Sequence, residues 1–220
     1  MRLHVSVGPN PRIVRFFLRE KCLHVKEVRV DLVGGENRAP AFLALNPAGQ
    51  LPVLQTDTGP VIAEVPVICD YLESVLGGPP LIGPTLERRA EVLMWVRRVE
   101  QAYCDPVTRA FRYGPAIGLF GRRMRCLPEA AAGMADLARD GAAWIDAQLA
   151  YRLYVAGAEF SLADIVLWCF VDFAARRADL PIDPAHARLQ RWFDAVAARP
   201  AADATAALAY GRSPVSECPS

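Results

Sequence analysis

The 220-residue chain has no uninterrupted apolar run of about 18 residues, the length that a membrane-spanning helix needs, so no membrane span is expected. Its first residues, Met1-Arg2-Leu3-His4-Val5, lack the apolar stretch of a signal peptide. An excess of either charge is missing too, since 25 Lys and Arg against 24 Asp and Glu leave a formal net charge of +1. That balance gives no electrostatic case for a nucleic-acid or anionic-membrane partner. Cysteine is sparse and scattered: Cys22, Cys69, Cys104, Cys126, Cys169 and Cys218 form no C-x-x-C pair and no metal-ligand spacing. The three histidines, His4, His24 and His186, sit in no cluster, so no metal is expected. Cys69 and Cys169 lie inside apolar runs and read as buried free thiols, which points to a cytoplasmic protein. No internal repeat or low-complexity run is present.

Apolar residues make up 53% of the chain, enough for a real core in one large domain or two small ones. Leu3 to Val7 alternates as a strand, with Ser6 still inside it. Gly8-Pro9-Asn10-Pro11 then turns into a helix to about Cys22, with Asn10 as N-cap and Pro11 at the first helical position. A strand over His24–Asp31, a short helix over Pro40–Leu45, a hairpin of 53–55 and 61–63, and a helix from Pro66 to about Leu76 complete the order β-α-β-α-β-β-α. Gly77-Gly78-Pro79-Pro80-Leu81 reads as a linker. Everything beyond it reads as helix. A long helix from Leu86 to about Tyr113 should be kinked or split by Pro106, which has no N–H to donate. Gly114 to Gly121 reads as a loop. An alanine-rich helix over Pro128–Ala150 carries Gly141 on its apolar face. Ser161-Leu162-Ala163-Asp164 fits a capping pattern ahead of a helix apolar almost all round. Pro184 to Ala198 is amphipathic, and 211–220 is expected to be a frayed tail. The expected organisation is therefore 1–77 as a thioredoxin-like domain, 78–84 as linker and 85–210 as an all-helical domain.

The chemistry centres on Asn46-Pro47-Ala48-Gly49-Gln50-Leu51-Pro52-Val53-Leu54. A proline can start a strand or lie on its edge, and here it leaves the main chain of Leu51 and Val53 partly unpaired. An extended peptide could add there as a strand does. Ten residues on, Ile62-Ala63-Glu64-Val65-Pro66 closes a strand and opens a helix, whose first N–H groups can hold an anion. Together they suggest a site for a small acidic peptide.

These segments, with Cys69-Asp70-Tyr71-Leu72-Glu73 after them, resemble the glutathione-binding half of the cytosolic glutathione transferases. Tyr154-Val155-Ala156-Gly157 and Phe160 to Asp164 resemble the buried capped helix of that family's second half, so the likeness covers most of the chain. It implies a thioredoxin-like α/β N-terminal domain and an all-α C-terminal helical domain, assembled as a homodimer. It also implies glutathione as co-substrate and a small electrophile as its acceptor. Pro52 would follow a cis peptide bond, Val53 would pair with the cysteinyl unit, and Gln50, Leu51, Glu64 and Val65 would complete the peptide site.

Catalysis on glutathione needs a thiolate, and an ordinary thiol has a pKa of about 8.5. The family's usual Tyr, Ser or Cys after the first strand is absent from Ser6-Val7-Gly8-Pro9-Asn10-Pro11-Arg12. Gly8 to Arg15 resembles instead an atypical fungal and bacterial subgroup in which a hydroxyl and a histidine on the long helix hold a water at the sulfur. Thr108 takes the hydroxyl position, and Arg112, four residues on and on the same face, stands where histidine is expected. Arginine stays protonated, so it would act by its field and not as a base. Thr108, Arg112 and Asn10 at the first helix's start are thus the expected catalytic group. Pro9, Phe111, Tyr113 and Phe120 are the expected electrophile pocket. Val65 departs from the family's Ser or Thr, which bonds the glutamyl carboxylate and caps the following helix. The implied activity is transfer of glutathione sulfur to an electrophilic, apolar small molecule. The alternative is a non-catalytic binding or interaction protein that keeps the fold.

Overall fold

A computed structural model describes residues 1–209, without the side chains of 207–209, so Cys218 and the expected tail over 211–220 lie outside the described residues. The chain forms two compact units: Met1–Pro79 joined by the segment that begins at Ala198, and Pro80–Ala197.

The first unit contains β1 (Arg2–Val5), α1 (Pro9–Glu20), β2 (Lys26–Arg29), α2 (Pro40–Leu45), β3 (Val53–Gln55), β4 (Val61–Ile62) and α3 (Val65–Leu76). The sheet order is β2-β1-β3-β4, with β1 and β2 parallel and the other pairs antiparallel. Leu3 and Val5 alternate with Arg2 and His4 along β1 and are fully buried. Leu54, register partner of Leu3, is buried with them. On the other face Val53, paired with His4, joins Val30, Leu51 and Phe42 of α2 in one apolar cluster. Arg15 ties α1 to β2 through both guanidinium arms on Glu27, at 2.9 and 2.8 Å.

A helix absent from the expected organisation, α10 (Pro200–Ala209), packs on α1. Fully buried Arg12 donates to the Thr205 hydroxyl at 3.3 Å and to the Ala202 carbonyl at 3.2 Å. Arg199 grips Glu20 with two more hydrogen bonds. The expected helical domain over 85–210 is corrected accordingly: its last stretch belongs with the sheet, because a buried guanidinium on α1 needs those oxygens.

The second unit holds α4 (Leu86–Val99), α5 (Asp105–Tyr113), α6 (Ile117–Phe120), α7 (Ala131–Gln148), α8 (Leu162–Arg177) and α9 (Ala187–Ala197). Pro106 splits the long helix as expected, and the backbone widens into a π turn over Glu100–Cys104, where the Asp105 N–H reaches back to the Glu100 carbonyl. The expected loop over 114–121 contains α6. Every residue of α8 from Leu162 to Ala174 is buried. Asp164 takes four donors at its start: Val155 N–H (2.8 Å), Ser161 N–H and hydroxyl (3.0 Å each) and Trp192 Nε1–H (2.9 Å). Burial still pushes its carboxyl up to about 6, the loss of water outweighing those donors. Asp146 of α7 caps α9 by accepting from the N–H groups of Arg188 and Leu189 and from the Arg188 guanidinium. Burial raises its carboxyl, but these donors outweigh burial and hold it below the ordinary value.

Cys69 and Cys169 are buried free thiols. No helix among the described residues is long and apolar enough to cross a membrane.

Candidate functional site

Sheet register gathers three segments at one end of the first unit. His4 pairs with Val53 and β1 runs antiparallel to β3, so the chain leaving β1 toward α1 meets the chain entering β3. Leu54 pairs with Ile62, so the chain leaving β4 toward α3 arrives at the same end. Gly8 to Pro11, Gln50 to Pro52 and Glu64-Val65 therefore share one rim.

The loop ahead of β3 is held from beneath. Asn46 accepts from Ala48 N–H and donates Nδ2–H to the Gln50 carbonyl at 2.9 Å. Buried Asn37 donates to the Gly49 carbonyl at 2.7 Å. Gly49 has φ 61° and its backbone lies so close that a Cβ would come within 2.9 Å of Arg38 and 3.0 Å of the Asn37 carbonyl. Sequence reading missed Asn37, which follows a Gly-Gly turn and looks like any loop residue.

The Leu51–Pro52 peptide is cis, the geometry that the family likeness implies. The strand register bears on the expected role of Val53. Thr56 N–H bonds the Pro60 carbonyl at 3.0 Å, so Thr56 and Leu54 direct their main chains toward β4. By alternation Gln55 and Val53 direct theirs toward β1, and Val53 is spent on His4. Leu51 is different: its N–H and C=O have no hydrogen-bond partner among the described residues. The position open to an added strand is Leu51. Gln50 beside it is exposed.

At α3 the helix opens one residue earlier than expected. Glu64 takes φ 68° and stands as N-cap without a side-chain bond, while its carboxylate is exposed. Val65 is the first helical residue and only 7% exposed, so a Ser or Thr there would occupy a position inside the first turn and would not be the N-cap. The first helical bond runs from Ile68 N–H to the Glu64 carbonyl, leaving the N–H groups of Val65 and Val67 for an outside acceptor.

At α1 the N-cap is Gly8, with φ 111°, and not Asn10. Glycine's freedom at positive φ ends the extended chain early, so Pro9 begins the helix and Asn10 sits second. Pro9 and Pro11 have no N–H, so within the first three helical residues only Asn10 has one to offer. Ser6 lies just past β1, and its hydroxyl accepts from Leu32 N–H at 3.4 Å.

The helical unit carries the other candidates. Thr108 lies half-buried on α5, and its hydroxyl makes no hydrogen bond among the described residues, so it is not bonded back to its own helix. Arg112 lays its guanidinium over the Phe120 ring at 5.0 Å. Phe111 meets Phe120 edge-on at 6.2 Å and Phe173 of α8 at 4.9 Å, which joins it to the interior as much as to any pocket. Tyr113 ends α5, and it and Phe120 are half-exposed.

The family model for the glutathione S-transferase N-terminal domain matches residues 7–75, and that for the C-terminal domain matches 128–195. Glutathione S-transferase 2 of Saccharomyces cerevisiae is 34% identical over 200 residues, which are 88% of this chain and 83% of that protein. The chain belongs to the glutathione S-transferase family. Among solved structures, yeast Gtt2 superposes with a TM-score of 0.86 at 33% identity, covering 93% of this chain and all of that one. Likeness to transferases over nearly the whole chain makes this protein a glutathione transferase of the atypical subgroup. A probable elongation factor 1-gamma 1 of Arabidopsis thaliana is also similar, 29% identical over 161 residues, 68% of this chain and 36% of that protein. Both family models leave out 76–127, the stretch that holds α4, α5 and α6.

Proposed function

We propose that this transferase binds glutathione at the rim of its sheet and transfers the sulfur to an apolar electrophile. The observation that carries this is the unpartnered main chain of Leu51 beside the open first turn of α3. The cysteinyl unit pairs with the N–H and C=O of Leu51, in place of Val53. The γ-glutamyl carboxylate meets the Val65 N–H, and its ammonium meets the exposed carboxylate of Glu64, with Gln50 alongside. The thiol proton passes to water; the thiolate attacks the electrophilic carbon, forms the S–C bond and expels the leaving group with its electron pair. Thr108 donates a hydrogen bond to the sulfur or its water, and Arg112 supplies positive field. Asn10 contributes its N–H and amide, and Pro9, Phe111, Tyr113 and Phe120 receive the electrophile. We further infer a cytoplasmic homodimer acting in detoxification, with no metal or nucleic acid.

Glu64→Gln should weaken glutathione binding roughly tenfold, since a hydrogen bond to a charged group contributes about 1.5–3 kcal/mol, while turnover at saturation stays unchanged. Calorimetric titration of both proteins tests this, and equal dissociation constants would detach Glu64 from the peptide. A wild type with no affinity for glutathione would favour the non-catalytic reading, which the kinship with an elongation-factor subunit keeps open.

Thr108→Ala should lower kcat about tenfold with little change in glutathione affinity, because its bond strengthens as charge gathers on sulfur. Arg112→Ala should raise the apparent thiol pKa in the complex, read from the pH dependence of kcat. Wild-type pH profiles in both variants would move thiol activation to Asn10.

A further inference from the structure

We infer that the electrophile is an amphiphile: an apolar body bearing an anionic group, a carboxylate above all, received by the arginine-rimmed aromatic patch of α5, α6 and the turn after them. The inference rests on the transferase reading and names the acceptor class for the site that contains Arg112.

The chain as a whole is almost neutral, yet between Asp105 and Cys126 it holds five arginines, Arg109, Arg112, Arg122, Arg123 and Arg125, against the single acid Asp105. That concentration is local, and it coincides with an apolar surface. All four residues of α6, Ile117-Gly118-Leu119-Phe120, escape burial. An apolar helix with no buried residue has left part of its surface for something other than the core. The two features are joined at Phe120. Arg112 covers the Phe120 ring at 5.0 Å, and Phe111 meets that ring edge-on. The chain then winds back on itself, with the N–H groups of Arg123 and Met124 both on the Phe120 carbonyl at 2.9 and 3.0 Å. The turn thereby folds the backbone of Arg123 and Met124 back onto that of Phe120, with Arg122 and Arg125 on either side of them in the chain.

Arg122 and Arg125 are exposed and make no hydrogen bond or ion pair among the described residues. Guanidinium is the side chain best shaped for a carboxylate, which it can meet with two parallel hydrogen bonds. An apolar ring under the Arg112 guanidinium, in a stretch with five arginines and one acid, selects for a ligand that is apolar in the middle and negative at one end. This segment lies outside both stretches that the family models match.

The test uses a matched pair of electrophiles, 4-(bromomethyl)benzoate and its neutral methyl ester. In each, glutathione sulfur displaces bromide from the benzylic carbon, the S–C bond forms, and the thiol proton goes to solvent. With glutathione saturating and ionic strength low, kcat/KM divided by the uncatalysed rate should be roughly tenfold higher for the acid. The preference should shrink toward parity at about 0.5 M salt, where the Debye length is only a few ångströms. In the double variant Arg122→Ser, Arg125→Ser the acid should fall to the level of the ester, with the ester unchanged. Equal turnover of acid and ester by the wild type, or a preference that survives the double variant, would overturn the inference and leave the transferase reading standing. Failure to conjugate even the ester would remove both.

Discussion

Gly141→Ala should lower the thermal midpoint by roughly 6–12 °C, the shift that about 3 kcal/mol produces in a chain of this size. Gly141 lies in the middle of α7, where glycine is otherwise the poorest choice short of proline, and alanine would raise helix propensity by about 1 kcal/mol. The contact reverses that gain. A Cβ on Gly141 would lie 1.9 Å from the carbonyl oxygen of Ala102 and 2.7 Å from its carbon. Both are backbone atoms, so no side chain can turn aside, and one helix must move. Ala102 belongs to the π turn Glu100–Cys104, four residues before Pro106, the residue that cannot donate to its carbonyl. The widened backbone and the bare face of α7 thus fit each other. Because α5 starts at Asp105, a displacement reaches Thr108 and Arg112, and on the roles proposed for them kcat should fall along with stability. Calorimetric melting and turnover measured on the same preparation test both parts. An unchanged midpoint would mean that α7 is free to shift at no cost.

This pairing marks the limit of what the sequence discloses. Pro106 announces a break in the long helix, because a missing N–H is a property of one residue. The π turn and its need for Gly141 are properties of two segments far apart in sequence, and in an alanine-rich helix a glycine looks like one more small residue. Arg12 teaches the same lesson. It is buried against Thr205 and Ala202, whose involvement only tertiary packing reveals.

At the candidate site, the motif Asn46 to Leu54 and the order strand, Glu64-Val65, helix were legible because turn, strand and helix-start chemistry is local. The choice between Leu51 and Val53 was not. Adjacent residues of a strand point their main chains to opposite neighbours, and the parity depends on which strand lies on which side. The helix starts at Gly8 and Glu64 were each misplaced by a residue or two, because a positive φ at the residue before the first turn overrode the capping preferences of the side chains.

Asp164→Ala should have the largest effect of all, a loss of about 4 kcal/mol or more. It would leave the Trp192 Nε1–H and the main-chain N–H groups of Val155 and Ser161 buried without acceptors, each at a cost of about 1–3 kcal/mol. Set against a total stability of about 5–15 kcal/mol, that leaves little folded protein at 37 °C. Asp164→Asn separates hydrogen bonding from charge. The amide oxygen still serves Val155 and Trp192, and only the Ser161 side loses its acceptor. The wild-type carboxyl, pushed up to about 6 by burial, binds its proton in the folded state at a higher pH than the ordinary value of about 3.9 in the unfolded chain. Between those two values the folded state holds more protons than the unfolded one, so the contribution of Asp164 to stability declines as pH rises from about 4 to about 6 and is level above that. Asparagine does not titrate. The cost of Asp164→Asn, measured by denaturant unfolding, should therefore be greater near pH 4 than at pH 7, by about 2 kcal/mol. A cost that grows with rising pH would mean that the four donors outweigh burial and keep the carboxylate ionised inside the fold.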